Sequence, residues 1–229
     1  MKAAVLYKAK KLRLEDWPRP QLKKNNEVLI KIKSVGVCGS DVHYYQDGKI
    51  GDFVVKKPIV LGHEAAGVVV QTGSEVKHLK KGDRVALEPG VPCGECFLCQ
   101  QGNYHVCERV KFFGTYPTHG TYREYVVHPA DYVYKLSANI SLAEGAMLEP
   151  LAVSLHAVNL ATVKNNLRIA ILGMGSIGLT CLQALRLNRS LKILVTDKLD
   201  YRLKLAKRLG ADYTVNVRQE NPVKTAQRI

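Results

Sequence analysis

No stretch of this 229-residue chain approaches the roughly 20 consecutive apolar residues that cross a bilayer, so a helical membrane span is not expected. The apolar run near the N-terminus, Ala3-Ala4-Val5-Leu6-Tyr7, is too short for a secretory signal. The address expected by default is therefore cytoplasmic, with no membrane partner. Aromatic residues are scarce, at 7% with a single Trp, and no aromatic-interleaved basic motif of the RNA-binding kind occurs. Low-complexity linkers and internal repeats are missing too. Lys and Arg outnumber Asp and Glu by 34 to 20, giving a formal net charge of +14. These cations are spread along the chain, with small clusters only at Lys8-Ala9-Lys10-Lys11 and from Lys77 to Lys81. That reads as a basic protein with a solvated surface rather than a nucleic-acid binder. Apolar residues at 46% and charged residues at 24% are ordinary for a globular chain. Six cysteines in a reducing compartment point to metal ligands or free thiols rather than disulfides.

The chain has two textures. Up to about residue 140, short β-like runs alternate with Gly and Pro, as in Glu27 to Ile32, Gly67 to Val70, Asp83 to Leu87 and Tyr125 to Val127. This pattern predicts a compact, mostly antiparallel barrel or sandwich. Ser141-Leu142-Ala143-Glu144 is a capping box, and Glu149-Pro150 interrupts the helix it starts. Leu151 to Val163 reads as an apolar helix. From Arg168 the pattern becomes strand (168–172), helix (176–187), strand (192–196), helix (201–209) and strand (213–217). That is βαβαβ, the first half of a doubly wound nucleotide-binding domain. The expected domains are 1–155 and 156–229.

Three constellations carry chemistry. Gly173-Met174-Gly175-Ser176-Ile177-Gly178 is a G-x-G-x-x-G run between a predicted strand and a predicted helix, and Asp197 ends the following strand. In that context the glycines admit a dinucleotide pyrophosphate to the helix N-terminus, where Ser176 and Ile177 also lie. Asp197 would accept the ribose hydroxyls and repel a 2′-phosphate, favouring NAD over NADP; otherwise it is an N-cap for the next helix. Cys93, Cys96, Cys99 and Cys107 have the spacing of a closed, tetrahedral, structural Zn²⁺ site. Cys38-Gly39-Ser40-Asp41-Val42-His43 and Gly62-His63-Glu64 offer a thiolate, imidazoles and carboxylates suited to a more open zinc site. Spacing alone does not bring these residues together; Cys38 as an inert thiol and His63 as a loop histidine stand beside that reading.

Taken in order, these motifs resemble the zinc-dependent medium-chain alcohol dehydrogenases. Val42-His43-Tyr44-Tyr45, Phe112-Phe113-Gly114-Thr115 and Leu148-Glu149-Pro150-Leu151 are closest to the sorbitol/xylitol (polyol) branch. The resemblance runs through the whole chain and implies a GroES-like catalytic barrel followed by an incomplete Rossmann domain, α/β plus β in class. It implies a catalytic zinc on Cys38, His63 and Glu64, with Glu149 beside it as a ligand or through its water. Asp41 would orient His63 or serve an Asx-turn. Tyr44 and Phe112 would line the substrate pocket or pack in the core. Ser40 would take the hydroxyl proton and pass it toward His43, which otherwise is a surface histidine.

The implied reaction oxidises a secondary hydroxyl of a small polyol to a ketose with NAD. A threonine or secondary-alcohol dehydrogenase is the nearest alternative. A zinc-dependent nucleic-acid module is another, though it leaves His63-Glu64 and the glycine run unexplained. A six-stranded nucleotide domain needs about 30 residues per βα unit, more than Arg168 to Ile229 supplies. The sequence therefore reads as a truncated dehydrogenase that has lost the nicotinamide seat. The resemblance implies a homo-oligomer for full-length members.

Overall fold

A computed structural model describes residues 1–188 and 190–229, which divide into two compact units, Met1–Glu149 and Pro150–Ile229. In chain order the first unit begins with β1 (Lys2–Lys8), β2 (Lys11–Asp16), β3 (Glu27–Val35) and helix α1 (Gly39–Asp47). The two-residue strands β4 (Lys49–Ile50), β5 (Phe53–Val54) and β6 (Ile59–Val60) follow, then β7 (Ala65–Thr72) and β8 (Arg84–Leu87). Next come β9 (Gly90–Val91), α2 (Phe97–Gln100), β10 (Lys111–Phe112), β11 (Tyr125–Pro129), β12 (Val133–Lys135) and α3 (Leu142–Ala146).

A five-stranded antiparallel sheet, in the order β11-β3-β7-β8-β12, carries the main core. Val28 and Ile30 of β3, Val69 of β7, Val85 and Leu87 of β8 and Val126 of β11 interlock there with Leu79 and Phe113. A second sheet, β2-β1-β6, joins this frame through backbone bonds: Tyr122 O accepts from Ala4 N at 2.8 Å, and Glu124 O accepts from Ile32 N at 2.9 Å. The result is the antiparallel barrel that the Val- and Ile-rich runs predict. β1 and β2, which the pattern reading does not mark, form an antiparallel pair from Lys2↔Asp16 to Lys8↔Lys11. Only one side of β1 is strictly apolar and β2 is largely exposed, so their alternation is weak. Capping fixes α3: Ser141 Oγ accepts from Glu144 N, and Glu144 Oε2 accepts from Ser141 N at 2.7 Å.

Helix α4 (Leu148–Leu160) starts three residues earlier than the expected Leu151. Pro150 lies in its first turn, where a missing N–H costs nothing. The second unit then contains β13 (Arg168–Leu172), α5 (Ser176–Arg186), β14 (Lys192–Asp197), α6 (Asp200–Arg208), β15 (Tyr213–Asn216) and α7 (Pro222–Arg228). Its three strands are parallel, in the order β13-β14-β15. Met174, Leu182, Ile193, Val195 and Ala206 are fully buried between sheet and helices. Gly173 has a φ of +102° and opens the turn from β13 into α5. A Cβ on Gly178 would lie 1.9 Å from Gly173 O, so the third glycine lets the helix close over its own loop.

Candidate functional site

Two groups of potential metal donors converge in the first unit. The first is assembled from separate elements. Cys38 lies just before α1, and His63 and Glu64 lie between β6 and β7. One donor atom from each residue falls within 4.8 Å of the others. His63 and Glu64 are buried, while Cys38 keeps partial exposure. The sequence does not show that these residues meet; the barrel brings them together.

Asp41 holds this arrangement. Its Oδ2 accepts from Cys38 N at 3.1 Å and from the Tyr122 hydroxyl at 2.9 Å. Its Oδ1 accepts from Gly62 N at 3.0 Å and lies 3.9 Å from His63 Nδ1. One buried carboxylate thus ties the loop of Cys38 to that of His63. Tyr122, which has no sequence signal, places the same hydroxyl 3.2 Å from Gly36 O, which can share its proton. Gly36 has a second role that the sequence reading misses. A Cβ there would stand 2.0 Å from Glu64 Oε2, so only glycine leaves the Glu64 carboxylate its seat.

The electrostatics are those of a donor cluster. A hydrogen bond from His63, aided by Ser40, holds the Cys38 thiol below its usual pKa. Burial works against a charged His63, but the Cys38 hydrogen bond and the Asp41 and Glu149 carboxylates outweigh it and raise its pKa. Burial lifts Glu64 above the usual carboxylate range, with Asp41 adding to the shift and His63 opposing it. Glu149, in the first turn of α4, is raised chiefly by burial, with Glu64 and Asp41 adding and His63 opposing. It lies outside the 4.8 Å group but within the field of these side chains. A thiolate, an imidazole and a carboxylate are zinc donors, and Glu149 and a substrate oxygen or water are candidates for the rest of the coordination sphere.

The remaining expected residues sort around this cluster. The Phe112 ring lies 5.4 Å from the His63 ring, so Phe112 is at the site. Ser40 is beside the Cys38 sulfur. His43 is exposed on α1, with Nδ1 3.3 Å from Asp47 Oδ2. Tyr44 is 2% exposed and packs with Leu6, Ile59 and Leu61, and its hydroxyl has no partner among the described residues.

The second group is local. Cys93, Cys96, Cys99 and Cys107 place their sulfurs 3.4 to 3.9 Å apart. A disulfide needs about 2.05 Å. A tetrahedron with Zn–S arms of about 2.3 Å has edges of about 3.8 Å, so the four sulfurs already frame one. Backbone N–H groups prepare the thiolates: Cys93 N donates to Cys107 Sγ and Cys96 N to Cys93 Sγ, both at 3.4 Å. Cys93 is drawn down to about 6, first by the Glu95 backbone N–H, while burial pushes Cys99 up to about 12.

In the second unit the glycine loop and Asp197 stand together. Asp197 ends β14 and is 7% exposed. Its Oδ2 accepts from Met174 N at 2.8 Å and its Oδ1 from Leu199 N at 2.9 Å. Arg202 Nη1 lies 3.5 Å from the same carboxylate. These backbone bonds hold Asp197 below the ordinary aspartate pKa against its burial. A Cβ on Gly175 would meet nothing within 4 Å, and Ser176 and Ile177 are exposed at the N-terminus of α5, so the loop is open where a phosphate would sit.

Residues 24–138 match the alcohol dehydrogenase GroES-like domain, half of the chain. The chain belongs to this family. Two of its similar relatives are sorbitol dehydrogenases. That of Bacillus subtilis is 41% identical over 229 residues, covering 100% of this chain and 65% of the relative. That of Gallus gallus is 45% identical over 227 residues, covering 99% of this chain and 64% of the relative. The chain thus spans just under two thirds of these relatives' length. The crystal structure of an Escherichia coli oxidoreductase/dehydrogenase of unknown specificity superposes with a TM-score of 0.94 at 41% identity, covering 99% of this chain and 66% of that one. The first unit is therefore a GroES-like barrel, and β13 to β15 are the opening strands of a Rossmann-type sheet, as the resemblance to zinc-dependent medium-chain dehydrogenases implies. Among the described residues no helix is long and apolar enough to cross a membrane.

Proposed function

We propose that this chain carries the metal-binding and dinucleotide-binding machinery of an NAD-dependent polyol dehydrogenase, which oxidises a secondary hydroxyl of a polyol such as sorbitol or xylitol to a ketose. The observation that carries this reading is the meeting of Cys38, His63 and Glu64 within 4.8 Å, with Glu149 close by, in a chain that also presents an open glycine loop. Cys38, His63 and Glu64 would hold a catalytic zinc, with Glu149 as a ligand or through a water. The four cysteines would hold a structural one. Bound there, zinc lowers the pKa of a coordinated hydroxyl, and NAD accepts hydride.

The chain's own residues prepare that step. Asp41 fixes the Cys38 and Gly62 backbones, so the donors are in place before substrate arrives. Phe112 covers one side of His63 and limits water there. Ser40, beside Cys38, receives the proton of the substrate hydroxyl. Exposed His43, steadied by Asp47, returns it to solvent. Asp197 would receive the adenosine ribose hydroxyls, and its low pKa keeps it charged against a 2′-phosphate. The expected setting is cytoplasmic and the partner a small polyol.

The test uses a polypeptide that carries this sequence at the relatives' full length. Sorbitol- or xylitol-dependent NADH formation is expected. Cys38→Ser should lower it by more than the roughly 10–100-fold that loss of a supporting contact costs. Unchanged turnover in Cys38→Ser, or a wild-type protein that is zinc-loaded but inert toward both polyols, would refute the reading.

A further inference from the structure

One buried titratable group takes no part in the polyol chemistry. His128 lies in β11, paired with Val28 of β3, and is 3% exposed. Its Nε2 stands 2.8 Å from Glu88 O. A carbonyl oxygen only accepts, so Nε2 carries the proton and donates. Burial draws the His128 pKa down to about 4, although the Glu88 carbonyl and the Glu27 carboxylate pull the other way. The imidazole is therefore neutral at neutral pH and serves as a fixed donor.

The same ring has a second contact. Its centroid lies 4.5 Å from that of Phe113, with the rings tilted by 34°. Glu88 and Phe113 are the two roots of one ribbon: Glu88 leads through Pro89 into β9, and Phe113 directly follows β10. β9 and β10 are antiparallel, with Phe112 opposite Gly90, and Pro89 O accepts from Phe113 N at 3.0 Å. His128 thus reaches both strands of the ribbon from an edge strand of the five-stranded sheet.

The ribbon carries Phe112. Successive side chains of a strand point to opposite faces. Phe113 is buried in the main core with Val28, so Phe112 faces the other way, and its ring lies 5.4 Å from that of His63. A Cβ on Gly90 would come within 3.4 Å of the Phe112 ring, so the ring lies over glycine. Just beyond, Gly114 has a φ of +74°, and a Cβ there would stand 2.9 Å from Gly62 N. That close approach keys the segment after Phe112 to the residue before His63.

We propose that His128 is a positioning residue of the polyol site: by gripping Glu88 O and the Phe113 ring it fixes the ribbon that sets Phe112 over His63. The inference rests on the polyol reading of that site. His128 acts through two short links, Glu88-Pro89-Gly90 and Phe113-Phe112. A shift of about 1 Å transmitted from a distance can cost on the order of 100-fold in rate. A loosened Phe112 ring should show first in how the polyol is seated, and so in its KM.

The test uses the zinc-loaded polypeptide at the relatives' full length. His128→Leu should raise the polyol KM roughly tenfold, the low end of the cost of lost support, with the NAD KM and zinc content unchanged. A merely structural loss would lower the active fraction, and with it kcat, at an unaltered KM. His128→Gln, whose amide N–H can still donate to Glu88 O, should recover most of the loss. A second readout needs no turnover: the His63 Cε1–H resonance in protein carrying ¹³C-histidine, assigned by its disappearance in His63→Gln. Phe112→Leu removes the ring and defines the full shift, and His128→Leu should move the resonance in the same direction. Should His128→Leu not fold, Phe113→Leu cuts the other contact and the same two readouts apply. A wild-type polyol KM or an unmoved His63 resonance in the folded variant overturns the proposal. So does a His128→Gln protein as impaired as His128→Leu. If the wild-type protein is inert toward both polyols, the polyol reading fails, and the His63 resonance alone decides whether His128 sets Phe112.

Discussion

The two donor clusters of the first unit are built in opposite ways. The four-cysteine lobe draws every donor from one short segment, Cys93 to Cys107, and its sulfurs form a tetrahedron with little help from elsewhere. The Cys38, His63 and Glu64 cluster draws its donors from either side of β4, β5 and β6. It depends on Asp41, on Tyr122 some 81 positions from Asp41, and on the space left by Gly36. A closed local lobe can be dictated by spacing. An open site needs a scaffold that holds unlike donors at one point while leaving room for a reactant. The first kind stabilises with its metal; the second is stabilised by the protein around it, so the two should fail differently.

The largest expected effect is on the local lobe. Cys96→Ser removes one corner of the tetrahedron. Structural zinc contributes about 10 kcal/mol or more of apparent binding energy in small zinc domains. Elemental analysis should fall from two zinc ions per chain to one, and the 93–107 segment should become sensitive to protease. Retention of both ions would show that Cys96 is not needed to hold the structural one, and loss of both that the two clusters are not independent.

A smaller effect is expected at the dispersed site. Gly36→Ala puts a methyl group where the Glu64 carboxylate now lies, 2.0 Å from Oε2, so the carboxylate must move. Zinc affinity at that site alone should drop roughly 10–100-fold, the range for lost support of a ligand. Competition with a chromophoric chelator measures it. An unaltered two-site titration would mean that Glu64 has no part in metal binding.

The smallest effect concerns pH in the metal-free protein. The folded-state pKa of Glu64 is raised, so its ionisation is harder in the folded than in the unfolded chain. Stability is lost as pH rises from the unfolded value of about 4.3 through the raised folded one. His63 is also raised, so its contribution is present below about 6.5 and lost as pH rises through its folded pKa. Both give the same sign: these two groups make the chelated first unit more stable in mild acid than at pH 8. Trp17, the chain's one tryptophan, reports that unit's unfolding in denaturant. Glu64→Gln should raise the stability of the metal-free unit at neutral pH while weakening zinc binding. A loss of stability in both states would assign Glu64 a packing role instead.

Much of this was legible in the sequence because it is local. The capping box at Ser141, the glycine run after β13 and the C-x₂-C-x₂-C spacing each encode geometry within a few residues, and each appears where the pattern placed it. Helix α1 was not read from the pattern. Its residues are mostly polar, and Asp41 near its start binds backbone that comes from the chain beyond it as well as the Cys38 N–H. Tyr44 shows the converse: a motif position that matches a family pocket packs in the core cluster around Leu6 and Ile59.

By itself the sequence determined the two textures, the glycine loop with its acid, and the tetrahedral cysteine lobe, since hydrophobic period, turn chemistry and close ligand spacing act over short distances. Tertiary structure decided which side chains meet. It brought His63 and Glu64 to Cys38 and gave Asp41 two distant donors, the Gly62 backbone N–H and the Tyr122 hydroxyl. The physical reason is that a buried polar group must find its partner wherever the packed chain provides one, and that place is set by strand pairing and core packing across the whole barrel.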